Sequence, residues 1–115
     1  MCGQEWVIEA HGCDPRALAD LATLRALFTH LIDALQLHPV SEGAWHRFPN
    51  TGGITGVCLL TESHLACHTF PEYRSVCLNV FCCRPRQEWD FASCLKQTLG
   101  ASAVRVRRID RPYQE

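Results

Sequence analysis

The sequence has no excess of charge of either sign. It contains 11 lysines and arginines against 12 aspartates and glutamates, which gives a formal net charge of -1. A domain that binds nucleic acid or an anionic membrane through its overall field is usually strongly basic. The segment "VRVRRIDR" (104–111) is basic, but its alternation favours a strand with a solvated arginine face. We therefore expect neither a nucleic acid nor a membrane as a partner.

Long apolar runs and a secretory leader pattern are also missing. The start, "MCGQEWVIEAHG", shows no basic region followed by an apolar stretch. The apolar runs elsewhere are too short to span a bilayer. We expect a cytoplasmic protein whose eight cysteines are reduced thiols, most of them small core residues.

Metal-ligand spacing is absent as well, because no C-x-x-C pair occurs. The one dense segment is "HLACH", which contains His64 and His68. In a strand, side chains four residues apart are about 13 Å from each other. A zinc or redox module is therefore a weak hypothesis, and we expect no metal site.

The pattern of elements predicts one domain, residues 1–115. Period-two alternation predicts six strands, at 5–10, 43–48, 54–61, 63–70, 74–83 and 103–109. Apolar residues at three- and four-residue steps from Leu21 to Leu35 predict a helix. Asp14 and Pro15 are suitable residues for a helix start before it, and Asp20 is a candidate for a restart of the helix. A second helix is predicted over 87–100, with Gly100 as its stop. The order β-α-β-β-β-β-α-β predicts an α+β two-layer sandwich, with a mostly antiparallel sheet and the helices on one face.

The stretch "TESHLACHTFPEY" (61–73) contains the side chains that suggest chemistry. The hydroxyl of Ser63 can attack the carbonyl carbon of Glu62, exchange the amide for an ester, and break the chain by elimination. Such a reaction needs a donor for the oxyanion and a group that transfers protons. Thr55 is a candidate for the donor, His68 for the proton transfer, and Cys83 for an acid on a neighbouring strand.

These segments resemble the prokaryotic S-adenosylmethionine decarboxylases, pyruvoyl enzymes made as proenzymes that cut themselves at a Glu-Ser bond. The resemblance runs over nearly the whole chain. It rests on "WVIEAHGCDP", on "WHRFPNTGGITGVCLLTESHLACHTFPEY" and on the "LNVFCC" that follows. It implies cleavage after Glu62 into chains 1–62 and 63–115, with Ser63 converted to the pyruvoyl group.

The resemblance also implies roles for the other residues. Thr55 and His68 would act in self-processing, and Cys83 would be the general acid of decarboxylation. Phe48 would bind the adenine, and Glu72 would bind the ribose hydroxyls. The pyruvoyl carbonyl would form a Schiff base with the substrate amine and accept electrons as CO₂ leaves. A homodimer is implied too, with sheets paired across it and active-site residues near the interface.

The implied reaction supplies the aminopropyl donor for spermidine synthesis. Related pyruvoyl enzymes decarboxylate arginine or ornithine, and an uncut, non-catalytic paralogue with the same fold is a further alternative. The departures from the family pattern lie mostly in "NVFCCR", where Asn79 replaces Asp, Cys82 replaces Thr and Arg84 replaces Gly. Because side chains alternate along a strand, Cys82 and Cys83 should face opposite sides, with Cys82 in the core.

Overall fold

Six strands form a single antiparallel sheet in residues 1–114, the part of the chain that the computed structural model describes. They are β1 (Cys2–His11), β2 (Ala44–Arg47), β3 (Ile54–Leu59), β4 (Ser63–Phe70), β5 (Ser75–Cys82) and β6 (Ala103–Pro112). Their order across the sheet is β2-β3-β4-β5-β1-β6. All six predicted strands are therefore present, and β1 and β6 extend beyond their predicted ends because they pair with each other along their whole length.

Three helices pack on one face of this sheet: α1 (Pro15–Leu18), α2 (Leu21–Ala34) and α3 (Phe91–Leu99). Asp14 caps α1 by accepting a hydrogen bond from the backbone N–H of Arg16, with Pro15 at the first helical position. The restart at Asp20 is confirmed, since α2 begins directly after it.

The second predicted helix is shorter than its pattern indicated. It starts at Phe91, four residues later than predicted, because the carboxylate of Asp90 accepts a hydrogen bond from the N–H of Ser93 and so forms the N-cap. Gly100 ends α3 in the left-handed region, as predicted.

The sheet has one covered and one open face. In β4, Leu65, Cys67 and Thr69 are buried, whereas His64 and His68 are exposed. The same alternation runs through β5, where Cys82 is fully buried. The helices complete the core with the apolar residues that their periodicity predicted, namely Leu24, Leu27, Phe28, Leu31, Phe91, Leu95 and Leu99. This is the predicted α+β two-layer sandwich.

Thr69 joins the two layers. Its hydroxyl donates to the carbonyl oxygen of Leu18 in α1 and accepts from the backbone N–H of Ile54 in β3, both at 2.8 Å. A buried hydroxyl is tolerated in a core when both of its partners are present. The contact fixes α1 over the end of β3 and β4 that carries Thr55 and His68.

The eight cysteines are all free thiols, and five of them are buried, as the sequence predicted. The buried ones are Cys13, Cys58, Cys67, Cys82 and Cys94. Within residues 1–114, no helix combines the length and the apolar character needed to cross a membrane.

Candidate active site

The Glu62–Ser63 peptide lies where β4 begins. Ser63 is half-buried and pairs with Cys82 across the sheet. The next rung is a hydrogen bond of 2.8 Å in which the backbone N–H of Cys83 donates to the carbonyl oxygen of Glu62. This donor is directed at the oxygen that would become negative if Ser63 attacked the carbonyl carbon, and such contacts stabilise an oxyanion.

Cys83 has the accessibility that its neighbour Cys82 lacks. Cys83 is half-buried, whereas Cys82 has 0% exposure. Burial raises the pKa of the Cys82 thiol, although the nearby guanidinium of Arg86 acts in the opposite direction. Cys67 behaves in the same way, since burial raises its pKa to about 12. Of the two adjacent cysteines, Cys82 and Cys83, it is therefore Cys83 that a reactant can reach.

The backbone of Cys83 is fixed on both sides. Its N–H contacts Glu62, and its carbonyl oxygen accepts a 3.0 Å hydrogen bond from the hydroxyl of Tyr113. Tyr113 lies beyond β6, near the end of the chain. Sequence reasoning did not single out Tyr113, because no local pattern links residue 113 to residue 83.

Arg84 forms an ion pair with Glu62. Its Nε lies 3.2 Å from a carboxylate oxygen of Glu62, and the two side chains are 66% and 44% exposed. The arginine that replaces the family's Gly is thus engaged by a carboxylate of its own chain.

Thr55 and His68 are direct partners on β3 and β4. The hydroxyl oxygen of Thr55 lies 3.0 Å from Nδ1 of His68, and their Cα atoms are opposite in the register. His68 is exposed on the open face, and Thr55 is half-buried. A hydroxyl and an imidazole in hydrogen-bond contact can pass a proton between them.

Phe48 and Glu72 lie at the same end of the strands as this pair. Phe48 follows β2, is 47% exposed, and its backbone N–H donates to the carbonyl oxygen of Gly53 at 2.8 Å. Glu72 is exposed in a 3-10 turn (Pro71–Tyr73) that directly follows β4. An exposed aromatic ring and an exposed carboxylate suit an adenine and a pair of sugar hydroxyls.

The structure brings the seven candidate residues into two separate groups rather than one. We call Glu62, Ser63 and Cys83 the cleavage group, and Phe48, Thr55, His68 and Glu72 the distal group. Ser63 and His68 are five residues apart on β4, which is about 16 Å in an extended strand. The two groups therefore lie at opposite ends of β4, and sequence reasoning did not foresee this separation.

None of the candidate residues forms part of a metal-binding cluster. Among residues 1–114, there is no group of three or more His, Cys, Asp or Glu side chains placed to hold a metal ion.

The similarity to known proteins extends over nearly the whole chain, and the comparisons agree with one another. The sequence model of the family described as S-adenosylmethionine decarboxylase matches residues 4–112. The chain is 31% identical over 110 residues to the S-adenosylmethionine decarboxylase proenzyme of Caldanaerobacter subterraneus, which covers 95% of this chain and 87% of the relative. It is 34% identical over 115 residues to the S-adenosylmethionine decarboxylase proenzyme of Pyrococcus furiosus, with 98% and 81% covered.

A solved structure has the same fold. The crystal structure of the adenosylmethionine decarboxylase from Aquifex aeolicus superposes with a TM-score of 0.79 at 21% identity. The match covers 98% of this chain and 92% of that one. The two-layer architecture is therefore shared over the whole domain.

Proposed function

This chain belongs to the S-adenosylmethionine decarboxylase family, and from that membership we propose that it cuts itself between Glu62 and Ser63 and then decarboxylates S-adenosylmethionine. The observation that carries the proposal is the 2.8 Å hydrogen bond from the N–H of Cys83 to the carbonyl oxygen of Glu62. This hydrogen bond would stabilise the oxyanion at the Glu62–Ser63 peptide, which is the one Glu-Ser bond in the sequence.

Self-cleavage uses atoms of the chain itself and one water molecule. The hydroxyl oxygen of Ser63 adds to the carbonyl carbon of Glu62, the C–N bond breaks, and the nitrogen takes up a proton, which leaves an ester. Loss of the α-proton of Ser63 then breaks the bond between its Cβ and the ester oxygen and releases Glu62 as a carboxylate. Water then displaces the α-nitrogen of the former Ser63 as ammonia, and the residue becomes a pyruvoyl group. His68 of a second copy of the chain, whose Nδ1 is hydrogen-bonded to the hydroxyl of Thr55, moves the protons.

The surroundings of Ser63 fit a pyruvoyl group. Ser63 is half-buried at the first position of β4, so a new chain end there stays next to Cys82, the last residue of β5, and to Cys83, which follows it. The pyruvoyl group would supply a carbonyl that accepts electrons as CO₂ leaves the substrate. The thiol of Cys83 would then donate a proton to the substrate α-carbon. Phe48 would stack on the adenine, and Glu72 would accept hydrogen bonds from the ribose hydroxyls.

The separation of the two groups supports a homodimer with a shared site. His68 cannot reach Ser63 of its own chain across about 16 Å of strand. If two copies pack their open faces antiparallel, the distal group of one copy meets the end of the other copy's sheet where β4 begins and Cys83 lies. In the uncut chain the Ser63 side chain is there on the same side of the sheet as Cys82. The open face has apolar side chains for such a contact, with Val57, Leu59 and Ile109 between 45% and 58% exposed. Each of the two sites would then hold residues from both copies.

The substrate choice favours S-adenosylmethionine over arginine or ornithine. The reported relatives are named for adenosylmethionine, and the chain retains an exposed Phe48 and Glu72 at one end of β4. Arg84 could in principle receive the carboxylate of an amino-acid substrate, but it is already paired with Glu62.

Two measurements on the purified protein test the proposal. Mass spectrometry should find residues 1–62 and a pyruvoyl-capped 63–115 in place of the 13.0 kDa chain. Release of labelled CO₂ should be seen with S-adenosylmethionine and not with arginine or ornithine. A chain that stays intact would support the non-catalytic paralogue, whereas turnover of an amino acid alone would overturn the substrate and leave the chemistry standing.

A further inference from the structure

We propose that Arg84 is a positioning residue for self-cleavage, which it promotes by neutralising and holding the side chain of Glu62. This inference rests on the proposed function, because it concerns the rate at which the Glu62–Ser63 bond is cut. It starts from two contacts that the consecutive residues Cys83 and Arg84 make with Glu62. Cys83 holds the carbonyl oxygen of Glu62, and Arg84 holds its carboxylate at 3.2 Å.

The electrostatic argument concerns charge that develops during the attack of Ser63. The carbonyl oxygen of Glu62 becomes negative only a few bonds away from the carboxylate of the same residue. Two like charges at such short range oppose each other, and a cation on the carboxylate reduces that repulsion. Arg84 is the cation within salt-bridge distance of Glu62 among residues 1–114.

The second argument concerns orientation. An exposed glutamate side chain is mobile, and its residue lies in the bend just before β4. With its carboxylate and its carbonyl oxygen held by neighbouring residues, Glu62 samples fewer orientations of the scissile bond relative to the hydroxyl of Ser63. Restricting the reacting groups in this way lowers the entropic part of the barrier.

Cleavage should strengthen the contact. Once the bond is cut, Glu62 becomes the end of the chain 1–62 and carries a new α-carboxylate in addition to its side chain. Arg84, on the chain 63–115, then faces two negative groups in place of one. It is therefore placed to keep the new chain end beside β5.

The effect on cleavage must be modest, because the pair is partly exposed and exposed ion pairs contribute little to stability. We expect Arg84→Gln to slow the first-order cleavage of freshly translated chain about 3- to 10-fold, a change of about 0.5–1 in log rate. Arg84→Lys should recover part of the loss, since it keeps the charge without the planar guanidinium. Arg16→Gln is the matched control, since Arg16 pairs with Asp14 on an exposed helix start far along the chain and should leave the rate unchanged.

A double-mutant cycle separates positioning from a general structural effect. If Arg84 acts through the carboxylate of Glu62, Arg84→Gln should have almost no effect in a Glu62→Gln background, because the repelling charge is then absent. Equal melting temperatures of the variants, each measured with Ser63→Ala to keep the chain uncut, would show that folding is unchanged. Cleavage of Arg84→Gln at the wild-type rate, or the same loss in both backgrounds, would overturn the inference. An unmodified chain that never cleaves would instead overturn the proposed function.

Discussion

The backbone N–H of Cys83 donates a 2.8 Å hydrogen bond to the carbonyl oxygen of Glu62, and Cys83 as a residue is half-buried. In the proposed function, Cys83 would contribute to two steps through different atoms. The N–H would assist self-cleavage, and the thiol would protonate the substrate.

These two roles are separable by one substitution. Cys83→Ala keeps the N–H and removes the thiol, so we expect the chain to be cut while decarboxylation falls about 100-fold or more, the usual size of a lost acid. Mass spectrometry follows the cut, and CO₂ release follows the reaction. Cys82→Ala is the matched control, because Cys82 is fully buried in the core and should change neither. Loss of activity in Cys82→Ala with an active Cys83→Ala would reverse the assignment of the acid.

The separation of Ser63 from His68 predicts that two defective chains can complement each other. Ser63→Ala and His68→Ala should each remain uncut when expressed alone. When they are expressed together, the proposed mixed dimer would place the His68 of one chain beside the Ser63 of the other. The His68→Ala chain should then be cut, and the Ser63→Ala chain should stay intact.

The identity of the cut chain is the decisive readout of that experiment. A mass tag on one chain identifies which of the two was cleaved. Size-exclusion chromatography should first show that each variant pairs with wild-type chain. If neither chain is then cut in the mixture, the proposal of a site shared between two copies is wrong. Cleavage within an isolated monomer would lead to the same conclusion.

The roles assigned to Phe48 and Glu72 predict a change in KM more than in kcat. Stacking on a base contributes about 1–3 kcal/mol, so Phe48→Leu should raise the KM for S-adenosylmethionine roughly 5- to 140-fold. Glu72→Gln should raise it as well, since the neutral amide accepts weaker hydrogen bonds than the carboxylate. Steady-state kinetics on fully cut protein measures both. A KM unchanged in both variants would mean that the adenosyl group binds elsewhere.

Glu5 predicts a pH dependence of stability. The side-chain amide of Asn79 donates to its carboxylate at 2.6 Å and, with Arg111, lowers the pKa of Glu5, although partial burial acts in the opposite direction. A carboxyl group whose pKa is lowered by folding adds stability above its unfolded pKa, and that stability is lost as the pH falls through its folded pKa.

We therefore expect Glu5→Gln to reduce the free energy of unfolding at pH 7 by about 1–2 kcal/mol. The difference should begin to shrink below about pH 4, where the Glu5 carboxyl of the unfolded chain takes up a proton, and it should disappear once the folded carboxyl is protonated at still lower pH. Urea unfolding at several pH values, in a Ser63→Ala background, measures it. Glu88→Gln is the control, since the Glu88 side chain is 88% exposed and its nearest arginine is 3.8 Å away. A constant difference from pH 7 to pH 3 would contradict the prediction.

The fold follows from local patterns, and the site follows only in part. The alternation of β4 and β5, the Asp14 cap and the stop at Gly100 are properties of neighbouring residues, so the sequence specified them correctly. The start of α3 was predicted four residues early because the apolar spacing extends back to Trp89, whereas the cap at Asp90 decides where the helix begins. The candidate residues were named through a motif, which gives their identity without their distances.

By itself, the sequence determined the two-layer architecture, the Glu-Ser bond and the inward side chain of Cys82, since each depends on a period or a spacing along the chain. Only the tertiary structure decided that Cys83 contacts Glu62, that Tyr113 reaches Cys83, and that Arg84 is engaged by a carboxylate. It also decided that His68 and Thr55 pair at the opposite end of β4 from Ser63. The physical reason is the register between strands, which brings residues far apart in sequence together and holds residues five positions apart on one strand away from each other.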